Sequence, residues 1–178
     1  TVVDLVSNAI TGHIPVGTGP EQSTTSNSKL FVANIGGFGS DSTVSVIDLF
    51  TDAVVATIQV GINPNSIVTD TYGKVWVLCG GSTGPDFTGG TADDIAGSLW
   101  CINPVSYVIE KQFMMNSANH RIKLQINGAK SELYYLFGND NYTGKVVKMA
   151  IGATAPNNTP LINKTFYGLG IHSSTGDI

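Results

Sequence analysis

The side chains able to move protons, ligate a metal or act as nucleophiles are few in this 178-residue chain. They comprise three histidines (His13, His120 and His172), two cysteines (Cys79 and Cys101) and 13 carboxylates. The histidines stand far apart, and no GxSxG, HExxH or phosphate-loop pattern accompanies them. No catalytic residue is assigned and no enzyme activity is expected. Neither a CxxC nor an HxxxH pair offers zinc spacing, so no metal or other cofactor is expected either. The densest acidic group is Asp86, Asp93 and Asp94, within Gly84-Pro-Asp-Phe-Thr-Gly-Gly-Thr-Ala-Asp-Asp94. Carboxylates are the ligands Ca²⁺ takes, but their spacing does not follow an EF-hand loop. The other reading is a solvated binding loop.

What positions these residues is a repeat. Thr1-Val-Val-Asp-Leu-Val-Ser-Asn-Ala-Ile-Thr-Gly-His-Ile-Pro-Val-Gly17 leads into Gly19-Pro20. Thr43-Val-Ser-Val-Ile-Asp48 leads through Ala53-Val-Val-Ala-Thr-Ile-Gln-Val-Gly61 into Asn63-Pro64, with Asp4 on Asp48, Gly17 on Gly61 and Pro20 on Pro64. Lys29-Leu-Phe-Val-Ala-Asn-Ile-Gly-Gly37 returns as Lys74-Val-Trp-Val-Leu-Cys-Gly-Gly81, then as Glu132-Leu-Tyr-Tyr-Leu-Phe-Gly138. Asp48 returns as Asn103 after a longer interval, because Ser82–Ser98 is an insertion. A period of about 40–50 residues built from short β-rich runs is the mark of propeller blades.

Each copy holds four strand signals bounded by Gly, Asn, Asp and Pro; in one they read Ser66–Asp70, Lys74–Cys79, Gly97–Asn103 and Val108–Phe113. No apolar stripe of helical period and useful length occurs. The fold class is therefore all-β: a β-propeller of four-stranded antiparallel blades, with boundaries near residues 18, 62, 117 and 166. Residues 1–178 form part of one propeller domain, a partial ring of about three complete blades and two partial ones, the last beginning at Phe166–Ile178. The second strands, Leu30–Asn34, Val75–Cys79 and Leu133–Phe137, are predicted to be the most buried, with Trp76, Leu78 and Leu136 in the core. Cys79 and Cys101 fall on neighbouring strands. Free buried thiols are expected, and a disulfide between them stays open.

Charged residues are 12% of the chain and hydrophobic ones 42%, a globular balance. A net charge of −4 with Arg121 as sole arginine leaves no basic stripe for nucleic acid. No apolar run reaches membrane-spanning length.

The stretch Thr-Val-Ser-Val-Ile-Asp48 with Val-Val-Ala-Thr-Ile-Gln-Val-Gly61-x-x-Pro64 resembles the repeat of YVTN-type, YncE-like surface-layer β-propellers. Gly19-Pro20-Glu21, Val75-Trp-Val-Leu-Cys-Gly-Gly81 and Leu133-Tyr-Tyr-Leu136 look like the version in Bacteroidetes cell-surface propeller lipoproteins. The resemblance implies a ring of about seven blades, hence partners that are the remaining blades of a parent chain or another subunit. It also implies a location at the cell surface, in the outer membrane or outside the cell. The function it suggests is non-enzymatic binding or scaffolding within a larger assembly. Two alternatives come with it: capture of a cobalamin-type ligand for a TonB-dependent outer-membrane transporter, and a lactonase-like metal-dependent hydrolase, for which Glu21 and Asn65 are ligands of the right type.

In such a blade the loop between second and third strands lies at the end where inner strands begin. The insertion Ser82–Ser98 should overhang that face. Glu21, Asn65, His120 and Tyr167 are read as equivalent positions entering successive inner strands. They either hold a small polar ligand or solvate the mouth of the channel.

Overall fold

The computed structural model describes residues 1–85, 91–115, 120–138, 143–172 and 174–178, and every regular element among them is a β-strand. Strands β1 (Val2–Asp4) and β2 (Ala9–Gly12) pair as a hairpin. Three four-stranded antiparallel meanders follow. The first comprises β3 (Pro20–Ser26), β4 (Lys29–Asn34), β5 (Thr43–Asp48) and β6 (Ala53–Gln59). The second comprises β7 (Pro64–Thr69), β8 (Val75–Cys79), β9 (Ser98–Ile102) and β10 (Ile109–Met114). The third comprises β11 (His120–Ile126), β12 (Glu132–Gly138), β13 (Gly144–Ala150) and β14 (Pro160–Phe166).

The repeat shows itself in the turns. Asp4 Oδ1 accepts the N–H groups of Val6 and Ser7 at 3.0 and 2.7 Å. Asp48 Oδ1 accepts those of Phe50 and Thr51 at 2.8 and 3.1 Å. Asn103 Oδ1 accepts those of Val105 and Ser106 at 2.9 and 3.2 Å. A short side-chain oxygen thus closes the turn after β1, β5 and β9, the Asx-turn that suits Asp and Asn there. The third blade, whose third strand ends at Ala150, instead closes its turn with the Ala153 N–H on Ala150 O.

Stacking explains the apolar runs. A strand sends alternate side chains to opposite faces. From β8, Val75, Val77 and Cys79 join Phe31, Ala33, Val44 and Val46 of the first sheet, while Trp76 and Leu78 join Leu124, Leu133 and Tyr135 of the third. With both faces covered, the strand reads as continuous hydrophobic sequence. The second strands carry the buried runs that the sequence predicts, and Trp76 is 1% exposed. Inner strands meet through hydroxyls: Thr69 Oγ1 donates to Thr25 O at 3.0 Å, and Leu124 N donates to Ser66 Oγ at 2.9 Å. The three sheets are blades of an open β-propeller arc.

Two expectations are corrected. Phe166 ends β14, and the described residues after it form no strand, so Phe166–Ile178 does not open a further blade. Gly168 and Gly170 interrupt the apolar residues there and weaken strand propensity. Leu169 and Ile171 instead pack on Tyr134, Leu136 and Val146, across the outer face of the third blade. The second correction removes the disulfide alternative. Cys79 pairs with Ser98 and Cys101 with Trp76 across the ladder, so the two thiols project from opposite faces of the sheet. Both are free and buried, and burial pushes each thiol up to about 12, with the Asp70 and Glu110 charges adding to the effect at Cys101. No helix among the described residues is long and apolar enough to cross a membrane.

Candidate functional site

The ends of the blades where inner strands begin share one backbone scheme. Gly19 and Asn63 both have positive φ, at 60° and 54°. Gly19 O accepts Ile35 N at 2.9 Å and Asn63 O accepts Gly80 N at 2.9 Å. After each, the ladder skips one residue: Pro20 pairs with Asn34 and Gln22 with Ala33, while Pro64 pairs with Cys79 and Ser66 with Leu78. Glu21 and Asn65 are thus the extra residues of matching β-bulges, devices that re-aim a side chain at a strand's start. The third blade departs from this. Arg121 pairs with Phe137, the position of Pro20 and Pro64, and the ladder runs on without a skip until Ile122. His120 is therefore the counterpart of Gly19 and Asn63, two places before Glu21 and Asn65, the positions with which sequence alignment set it.

Asn65 is fixed from both ends. Its Nδ2 donates to Arg121 O at 2.9 Å, and its Oδ1 accepts Ser66 Oγ at 2.7 Å. Asn63 Nδ2 donates to Gly81 O at 2.7 Å, while its Oδ1 is buried without a hydrogen-bond partner. Both asparagines line a cavity of about 300 Å³, with Ile35, Ile122 and the backbone of Gly37, Gly39, Gly80 and Gly81. Two of these glycines are tightly hemmed in: a Cβ on Gly80 would stand 2.9 Å from Asn65 Nδ2, and Gly81, at φ +75°, faces the backbone of Ile95 and Ala96.

The insertion reaches this rim. Ser82 and Ile95 exchange backbone hydrogen bonds at 2.9 and 2.8 Å, closing the loop's neck. Asp94 Oδ2 then sits 3.7 Å from His120 Nε2, with both side chains fully buried. The opposite ring nitrogen, Nδ1, donates to Gly80 O at 2.9 Å. Asp94 also takes the Thr91 N–H at 3.2 Å. Asp93 is exposed and accepts Thr91 Oγ1 at 2.7 Å. Asp86 lies outside the described residues. The structure thus joins Asn65, His120 and Asp94 through Gly80 and Arg121. It does not bring in the other two rim candidates. Glu21 is exposed and lines a shallow cleft on the first blade with Pro20, Gln22, Ser23 and Val32. Tyr167 is 71% exposed just beyond β14.

One residue that sequence reading noted only for its rarity proves prominent. Arg121 is fully buried; its Nη2 donates to Asn158 Oδ1 at 2.8 Å, while Nε and Nη1 have no partner. Its guanidinium lies 4.1 Å from the Phe137 ring centroid and 5.1 Å from that of Tyr135. Burial lowers its pKa to about 10, opposed by the nearby Tyr135. The signal available in sequence was a single arginine at a position held by proline in two other copies.

No family model and no curated protein matches the chain. Solved structures do resemble it. Hydrazine synthase of Kuenenia stuttgartiensis superposes with a TM-score of 0.66 at 17% identity, over 92% of this chain and 41% of that one. The dihydro-heme d1 dehydrogenase NirN gives 0.60 at 14% identity, over 93% of this chain and 34% of that one. A functionally unknown protein from Desulfotomaculum acetoxidans gives 0.50 at 17% identity, over 77% and 41%. The chain spans about two fifths or less of each of these three. At such identities the likeness shows the fold alone.

Proposed function

We propose that this arc belongs to a non-enzymatic binding propeller whose rim cavity takes a small polar ligand able to donate a hydrogen bond. The observation that carries this reading is the unpartnered Asn63 Oδ1 beside a cavity of about 300 Å³, within the size range of small-molecule sites. A buried acceptor without a partner costs free energy of order 1–3 kcal/mol, and a ligand donor would recover it. The glycine backbones leave room, Asn65 is held still by Arg121 O and Ser66, and the Asp94–His120 contact seats the insertion beside them. We place the protein at the bacterial surface or outside the cell on the strength of the repeat's resemblance alone. The exposed apolar side chains of the β1–β2 hairpin, Val3, Leu5, Val6 and Ile10, favour packing against further blades or another subunit.

The two enzymes named above share a fold with this chain, and their reactions do not carry over. The reading is tested with the purified full-length protein. Neutral sugars and primary amides are screened by NMR for saturable shifts at Asn63 and Asn65, and a lactone and ester panel is assayed in parallel. Binding that Asn63→Ala abolishes supports the proposal. Hydrolysis lost on Asn65→Ala, or no saturable shift with any probe, overturns it.

A further inference from the structure

The third blade carries a row of residues paired directly across all four strands: Arg121 with Phe137, Phe137 with Lys145, and Lys145 with Thr165. Directly opposed residues share one face of a sheet, so two cations flank an aromatic ring on one face. Over Phe137, Lys145 and Thr165 lies a cavity of about 510 Å³, lined by these three and by Asn158 among others; Arg121 itself is not in its wall and reaches it through Asn158. Among the described residues no carboxylate forms an ion pair with Arg121 or Lys145.

That arrangement is costly as it stands. Arg121 is buried with two of its three nitrogens unpartnered, and a charge taken out of water needs a counter-charge and its hydrogen bonds. Stacking on Phe137 and Tyr135 satisfies the ring faces of the guanidinium, not its N–H groups. Only Nη2 is engaged, and by a neutral acceptor, the Asn158 carboxamide. Asn158 is also a wall of the cavity. Its Oδ1 occupies one of the two places that an oxyanion takes on a guanidinium fork.

We infer that this cavity is an oxyanion site, taking a carboxylate or phosphoryl group, separate from the rim cavity. The anion enters past Lys145, displaces the Asn158 carboxamide from Nη2 and takes a second donor from Nη1 or Nε. Thr165 supplies a hydroxyl on the cavity wall. The ring of Phe137 keeps the guanidinium plane fixed, so that little side-chain freedom is lost on binding.

Arg121 being the sole arginine of these 178 residues gives a direct readout. In protein labelled with ¹⁵N-arginine, the Nε–Hε signal that Arg121→Lys removes is followed during titration with inorganic phosphate, with acetate, and with chloride at matched ionic strength. A saturable shift with phosphate, acetate or both supports the site, and the stronger of the two names the source. Lys145→Gln is expected to weaken that binding about tenfold, the order for loss of one charge-assisted contact, without moving the free signal. Shifts that chloride reproduces, or that Lys145→Gln and Asn158→Ala leave unchanged in midpoint, overturn the proposal.

Discussion

Replacing Trp76 with alanine tests the blade stacking at its most loaded point. The indole is 1% exposed and sits in the core shared by the second and third blades. Truncating such a side chain costs about 3–5 kcal/mol in lost transfer energy and residual cavity. A second cost follows from the polar end. Trp76 Nε1 donates to Asp70 Oδ2 at 2.8 Å, while Asp70 Oδ1 takes the Tyr72 and Lys74 N–H groups at 2.8 and 2.9 Å. Asp70 is held by the turn and cannot follow the missing donor, so Oδ2 is left buried and unpaired, at a cost of about 1–3 kcal/mol. The stacked Phe113 ring, 6.4 Å away between centroids, loses its partner too. The sum rivals the whole stability of a typical domain, about 5–15 kcal/mol, so Trp76→Ala is expected to populate unfolded protein without denaturant. Trp76→Phe keeps a ring against Phe113 and removes the N–H donor. Its urea midpoint should fall by the equivalent of about 1–3 kcal/mol at unchanged slope. If Trp76→Ala lies within about 1 kcal/mol of the parent, or Trp76→Phe matches it, the account of both the core and Asp70 is wrong.

Gly81→Ala should destabilise by more than about 1 kcal/mol, since φ is +75° and the added methyl meets the Ile95–Ala96 backbone; an unchanged melting temperature would contradict that geometry. With both thiols pushed up to about 12 and buried, neither Cys79 nor Cys101 should react with a disulfide reagent at pH 8 until urea unfolds the protein; prompt labelling of either would refute this. Stability should also fall in acid. Asp48 is held below the ordinary carboxylate range by the Phe50 N–H and Lys29, Glu110 by Lys74, and Glu132 by Lys148. At Asp41 burial pushes upward, but hydrogen bonds from the Thr43 hydroxyl and the Thr18 and Ser42 N–H groups outweigh it. Each depressed folded-state value contributes stability that is present above the unfolded pKa of about 4 and lost as pH falls through the folded one. The urea midpoint should be flat from pH 7 to 5 and drop below 4, more gently in Asp41→Asn.

Fold and site were legible to different degrees for a physical reason. Blade identity repeats because each blade must bury the same two faces and close the same turns. The 44-residue spacing of Asp4 and Asp48 was visible in sequence, and it reports the same pair of backbone N–H acceptances in both copies. The insertion's size could be counted against that frame, and the structure seats its Asp94 at the start of an inner strand. The tail could not be read this way, because Gly168 and Gly170 leave two apolar residues with no pattern to say which surface they cover.

The site is made of departures from the repeat, so the repeat misleads about it. Aligning the blades set His120 with Asn65, since both are polar residues entering an inner strand. Register is decided instead by which residue faces the end of the second strand, and that residue is Arg121. Pro20 and Pro64 each precede a bulge, whereas past Arg121 the ladder runs on directly to Ile122. At this blade entrance arginine stands where the other two have proline, the bulge is missing, His120 is buried against Gly80 O and Asp94, and a guanidinium lies beside Phe137. A buried, half-satisfied charge at the one blade entrance that breaks the pattern is what a binding role would explain and packing would not.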